Sequence, residues 1–231
     1  MSEIGRLAGM FFSPTAAFAD IVRRPRWWIP MLLIGILSIG AIAIFSQHIG
    51  WDQIVRKTID QNSQNMTPQD RQRAIAVASR IVPIVGYIAP VIAAVSIVVF
   101  AAVLILMTNV MLGADITFSS MMGIAGYASI PPTLVAAALT ILVMFLKSPD
   151  DFDIQNPLAF NLGAFLPDGS ARWLLTLGRS MDLFTFWRIG LLAVGITAAA
   201  PKLKLGKALA AVIIPWLVWV ALTTGLASLS R

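Results

Sequence analysis

Few side chains in this chain could do chemistry. Its one histidine, His48, follows Gln47 at the end of an apolar run, and there is no cysteine. A lone imidazole with no nucleophile or second ligand beside it reads as a structural group rather than as a general base or a metal ligand. Without cysteine there can be no disulfide, thiolate nucleophile or thiolate-bound metal. The H-E-x-x-H and G-x-S-x-G patterns are absent, as is a glycine-rich phosphate loop. Acids gather once, at Asp150, Asp151 and Asp153. Hard oxygen ligands at that spacing could hold a calcium ion, but the glycine turn and distal glutamate of an EF-hand loop are missing, so a solvated or helix-capping cluster after Ser148-Pro149 is the simpler reading. The sequence thus predicts no catalytic, cofactor-binding or metal-ligating residue, and no enzyme.

Two ionisable groups remain as candidates because of where they fall. Arg188 is the one charge inside an apolar block, where a charge is costly and marks function by default. It could snorkel to the interface or pair with Asp182 or Asp115, and a structural ion pair is favoured over a transport role. Asp182, just before Leu183, is placed to accept backbone N–H bonds at a helix start.

The elements that carry these residues are five apolar blocks, near 28–45, 81–107, 119–146, 183–200 and 208–229. A run of about 18 or more uncharged residues, rising ~1.5 Å each as a helix, crosses a hydrocarbon layer of ~30 Å. Lipid cannot hydrogen-bond the backbone, so each block must be helical. Of 231 residues 58% are hydrophobic and 12% charged. The mean hydropathy is +0.83. Soluble domains carry about 25% charged residues, so the sequence predicts an all-α integral membrane protein of five transmembrane helices with amphipathic interfacial helices. Two parts follow: an interfacial segment over 1–27 and a membrane domain over 28–231. The net charge of +6 comes from Lys and Arg flanking the blocks rather than lining one face, so nucleic acid is not the expected partner.

Ile4, Leu7, Ala8, Phe11 and Phe12 recur at helical spacing with Glu3 and Arg6 off that face, which predicts a surface helix. Ser13-Pro14 starts a second helix bearing Phe18, Ile21 and Val22, and Pro25 ends it. Such a segment lies in the membrane interface with Phe11, Phe12 and Phe18 toward the acyl chains and Arg23 and Arg24 toward anionic headgroups; packing on the protein's own spans is the competing reading. Trp27 and Trp28 anchor the first span at headgroup level. The segment from Trp51 to Ile59 keeps a helical stripe until Gln61-Asn62-Ser63-Gln64-Asn65. A helix then starts at Thr67-Pro68 and runs without interruption into the second span. Pro83 and Pro90 are expected to kink that helix, and Pro131-Pro132 the third span.

An internal N-terminus places seven Lys and Arg inside and nine outside. Arg23, Arg24 and Arg26 crowd the first span, and charges close to span ends weigh most, so the N-terminus is read as cytoplasmic and the C-terminus as external. Gly123, Gly126 and Ser129 recur every three residues, while Gly190, Ala193 and Gly195 crowd the fourth block; such faces let helices approach closely. Bundle packing is favoured over a partner-binding face.

At Gly126-Tyr127-Ala128-Ser129-Ile130-Pro131, with Pro132 following, the chain resembles the Yip1 family of multi-spanning membrane proteins. The bacterial branch is also similar at Ser13-Pro14-Thr15-Ala16-Ala17-Phe18, at Arg24-Pro25-Arg26-Trp27-Trp28, at Gly113 with Thr117-Phe118, and at Asp182-Leu183-Phe184-Thr185-Phe186-Trp187. The resemblance implies a five-helix membrane domain with a cytoplasmic N-terminus, in a bacterial inner membrane. Eukaryotic members bind small GTPases through a long N-terminal region; here fewer than thirty residues precede the first span. Some bacterial members look like accessory proteins of ABC-type exporters. The expected function is therefore a non-enzymatic membrane protein that organises or assists a membrane complex or local lipid, with membrane lipids, a protein partner or a second copy as its contacts and no cofactor. The alternative is a small transporter or channel with Asn109, Asp115 and Arg188 along a polar path.

Overall fold

The computed structural model describes residues 1–62, 66–148, 152, 153, 156–167 and 169–229. Asp150 and Asp151 lie outside the described residues, as do Ser63-Gln64-Asn65 and Pro149, so the proposed acidic cluster is not described beyond Asp153.

The chain is helical from its start. Helix α1, Glu3–Phe12, is capped by Ser2, whose hydroxyl accepts from the Gly5 N–H. Helix α2, Pro14–Arg23, begins on a proline at its first position, where the missing N–H costs nothing. Helix α3, Trp28–His48, is the first long apolar helix, and α4, Trp51–Asn62, follows after Gly50. Thr67 then caps α5, Pro68–Ile105, which runs on from the polar connection into the apolar block as one element, through Pro83 and Pro90.

Helix α5 continues into a π-helical turn, Leu106–Met111, that the apolar pattern does not announce. Thr108 sits in it fully buried, its hydroxyl donating to the Leu104 carbonyl at 2.8 Å. Gly113, at φ +66°, then reverses the chain in a conformation that side chains with a Cβ rarely adopt. Helix α6, Phe118–Leu146, starts at Thr117, which accepts from the Ser120 N–H. Pro131 and Pro132, where a kink is expected, lie inside this one helix.

Beyond α6 come a short 3-10 turn, Leu162–Phe165, and α7, Arg172–Ser180. They cross closely, since a Cβ on Gly178 would stand 2.7 Å from the Gly163 nitrogen. Helix α8, Leu183–Ala199, and α9, Leu205–Leu229, close the bundle.

Among the described residues four helices are long and apolar enough to cross a membrane: α3, α5 with its π-helical extension, α6 and α9. Helix α8 is apolar but shorter, at 17 residues. As a straight helix that is about 26 Å, a few ångströms under the hydrocarbon thickness.

The amino-terminal half of α6 is the centre of the core. Every residue from Ser120 to Pro132 is buried, with α1 and α2, α3, α5 and α8 packed around α6. Its Ile124 and Tyr127 share one apolar cluster with Phe18, Ile21, Leu104, Leu192 and Ile196. A second, smaller cluster joins Ile49, Ile54, Met144 and Phe152 at the opposite end of the bundle. There Phe45 and Phe152 meet edge to face at 5.6 Å, and the Lys57 ammonium donates to the Phe152 carbonyl at 3.0 Å.

Candidate functional site

The densest polar cluster described lies beneath the α1–α2 hairpin. Arg6 is 2% exposed. Its Nε donates to Asp20 Oδ2 at 2.7 Å, its Nη1 to Glu3 Oε1 at 3.3 Å, and its Nη2 to the Asp20 carbonyl at 3.4 Å. Arg26 donates to the same Glu3 oxygen at 3.2 Å, and the Met1 ammonium to Asp20 Oδ1 at 2.9 Å. The hydroxyl of fully buried Tyr127, on α6, donates to Glu3 Oε2 at 2.6 Å. One cluster thus ties α1, α2, the start of α3 and α6 together.

Electrostatics follow from that geometry. Burial opposes the Arg6 charge, but the hydrogen bonds to Asp20 and with Tyr127, and the charges of Glu3 and Asp20, outweigh it and raise the Arg6 pKa. Hydrogen bonds from the Met1 ammonium and from Arg6 hold the Asp20 carboxyl below its ordinary value. Both acids in the cluster face cations, three cations to two carboxylates, so neither carboxylate stands as a free base.

The hairpin buries Arg6 together with the apolar Met10, Ala17, Phe18 and Ile21, while Ile4 is 80% and Phe12 86% exposed. The interfacial expectation puts Phe11, Phe12 and Phe18 together on the acyl side, against packing on the protein's own spans; Phe11 and Phe12 are exposed and Phe18 is not. Phe18, expected at the acyl boundary, is fully buried against Gly195 of α8. Phe11, partly exposed, meets Trp187 of α8 edge to face at 5.9 Å. Arg23, Arg24, Trp27 and Trp28 are exposed around the start of α3.

The small residues of α6 and α8 receive these elements. A Cβ on Gly126 would stand 2.7 Å from Pro30 Cγ of α3, and one on Gly123 would stand 3.1 Å from Ile21 Cγ2 of α2. On Gly195 it would stand 2.5 Å from Ile124 Cγ2. Ser129 donates to the Ala125 carbonyl within its own helix at 2.8 Å. Gly190 differs, with open space where its Cβ would be.

The remaining candidates are dispersed. Asp182 caps α8, accepting from the Phe184 and Thr185 N–H groups at 2.9 and 3.0 Å, and Phe184 stacks edge to face on Phe160. Arg188 places its guanidinium 6.0 Å from the centre of the Phe100 ring of α5. Among the described residues it makes no ion pair with Asp182 or Asp115. Asn109 clamps the α5–α6 turn, donating to the Ile116 carbonyl at 2.8 Å and accepting from its N–H at 3.1 Å. His48 lies with its ring centre 4.5 Å from that of Phe145. No grouping of three or more His, Cys, Asp or Glu suited to a metal occurs among the described residues.

The sequence did not single out the Glu3–Arg6–Asp20–Tyr127 cluster. Its one available signal was the charge on both early helices at Glu3, Arg6 and Asp20, within an otherwise apolar segment.

No curated protein and no solved structure matches the chain. The model of the Yip1 domain matches residues 8–227. That stretch holds the Gly126–Pro131 segment under the hairpin, the Gly113 turn and the Asp182 cap within a single all-helical membrane bundle, and the chain belongs to the Yip1 domain family.

Proposed function

We propose that this protein organises a membrane complex, or the lipid around it, without catalysing a reaction. The observation that carries the reading is the seated hairpin: Glu3 of α1 accepts from Tyr127, Phe18 and Ile21 of α2 pack inward, and Ile4 and Phe12 of α1 face outward. Exposed apolar side chains over an ion-paired anchor suit contact with lipid or with the apolar face of another membrane protein. In this reading the chain crosses five times, with α8 as the short crossing, and Arg23, Arg24 and Arg26 beside the first span support a cytoplasmic N-terminus and an external C-terminus in a bacterial inner membrane. The partner is a second copy or another membrane protein, with an ABC-type exporter as the candidate that the bacterial relatives suggest. Cross-linking in native membranes, followed by purification in mild detergent, tests this. A defined partner or a stable oligomer is expected; recovery of monomer alone, with no cross-linked species, would refute it.

A transport reading draws its support from Arg188, a charge within the apolar block of α8. Asn109 and Asp115 do not join it: Asn109 is engaged by the Ile116 backbone, and Asp115 lies in the turn between the π-helical segment and α6. The transport reading requires that Arg188→Ala or Asp115→Asn alter flux in liposomes, and unchanged flux in both eliminates it.

A further inference from the structure

We infer that the end of the bundle where α8 turns into α9 holds a binding site for the phosphate of an anionic phospholipid headgroup. A cavity of about 540 Å³ opens there, between the α5–α6 turn at Gly113 and Asp115 and the α8–α9 turn at Ala200, Lys202, Lys204 and Lys207. Three lysines face one aspartate around it, and none of the four forms an ion pair among the described residues. All four side chains are exposed at its mouth, where three lysines against one aspartate leave a net positive rim that attracts an anion.

The surroundings identify the anion's carrier. The cavity lies at the ends of apolar helices, and Met111 and Leu205 beside it are 66% and 50% exposed. A ligand with a phosphate and acyl chains satisfies both the lysines and those side chains, whereas free phosphate leaves the apolar wall uncovered. Each Lys near an anionic membrane surface contributes about 1 kcal/mol, equivalent to about fivefold in affinity. The cavity adds a defined place for the headgroup. The reading deepens the lipid arm of the proposed function and rests on it, while a protein partner found by cross-linking stands or falls separately.

The test uses the full chain in nanodiscs of phosphatidylcholine, with and without one-fifth phosphatidylglycerol, and native mass spectrometry of retained lipid. The intact protein is expected to retain phosphatidylglycerol preferentially. Replacing Lys202, Lys204 and Lys207 together by Gln should weaken that retention on the order of a hundredfold. A charge-matched control, Arg73→Gln with Arg80→Gln and Lys147→Gln, should change it less than about threefold. Asp115→Asn should tighten it, and Ala200→Trp, which fills the cavity without changing charge, should abolish it while the thermal transition persists. Equal losses in the control and the lysine variant would overturn the site in favour of general surface charge. Retention surviving Ala200→Trp would remove the cavity as its seat. Millimolar inorganic phosphate that displaces the lipid, or that binds equally well to the chain in phosphatidylcholine alone, would overturn the lipid as the ligand.

Discussion

At the scale of single residues, the protein's polar chemistry serves structure. Tyr127 is fully buried on α6 and donates a 2.6 Å bond to Glu3. A hydrogen bond to a charged group is worth about 1.5–3 kcal/mol, so Tyr127→Phe is expected to lower stability by that amount and to free the hairpin. Thermal unfolding in detergent measures the first effect, and protease cleavage within residues 3–23 the second. Asp20 gives the cluster an acid limit. Its folded pKa is held below the ordinary 3.8, so its contribution is present above that value and is lost as pH falls through the lower folded one. Hydrogen exchange in α1 and α2 is therefore expected to rise on acidification below about pH 4, and Asp20→Asn to exchange faster at neutral pH with a flatter acid response. An unchanged acid response in that variant would assign the effect elsewhere.

At the scale of elements, close approach decides which glycines matter. Gly126→Val would drive its side chain into Pro30, and overpacking of this kind costs about 1–3 kcal/mol. Gly190→Ala meets open space and should shift stability by less than about 0.5 kcal/mol or raise it slightly. The two variants, compared by thermal unfolding, separate packing glycines from incidental ones. Asp182→Ala removes two acceptors at the start of α8 and should cost about 1 kcal/mol in the same assay.

Elements also show what was legible in the sequence. Helix starts at Ser13-Pro14, Thr67-Pro68 and Asp182 could be read because caps and N-terminal prolines act locally. The long apolar helices were equally plain, since lipid allows their composition one backbone form. The π-helical turn at Leu106–Met111 was not, because it depends on Thr108 and on Asn109 reaching Ile116 across the turn. The hairpin's facing was hidden for a deeper reason. Helical periodicity separates an apolar from a charged face, but when the surroundings include lipid it does not say which face turns inward. Phe18 and Arg6 were settled by Gly195 and Tyr127, residues more than a hundred positions away.

At the scale of the whole molecule, the bundle has two ends with different character. One carries the α5–α6 turn, the α8–α9 turn and the cavity between them; the other carries the Ile49–Phe152 cluster and α4. The chain has no cysteine, so single introduced cysteines report topology without background. With five crossings, Arg24→Cys and Lys204→Cys react with a membrane-impermeant maleimide from one side, and Met66→Cys from the other. Reaction of all three from one side would exclude that topology.

The α1–α2 hairpin also constrains the order in which the protein can be assembled. Its binding surface is made of α6 and α8, and Phe18 must wait for Gly195. At roughly 5–20 residues per second of synthesis, that interval is on the order of ten to thirty seconds. The hairpin is thus made well before the helices that seat it, and meanwhile Arg6 and Glu3 lack Tyr127. A nascent chain halted before α8 should hold this segment open to any insertion factor or chaperone that recognises a mixed charged and apolar helix, which makes seating of the hairpin the step that marks a finished molecule.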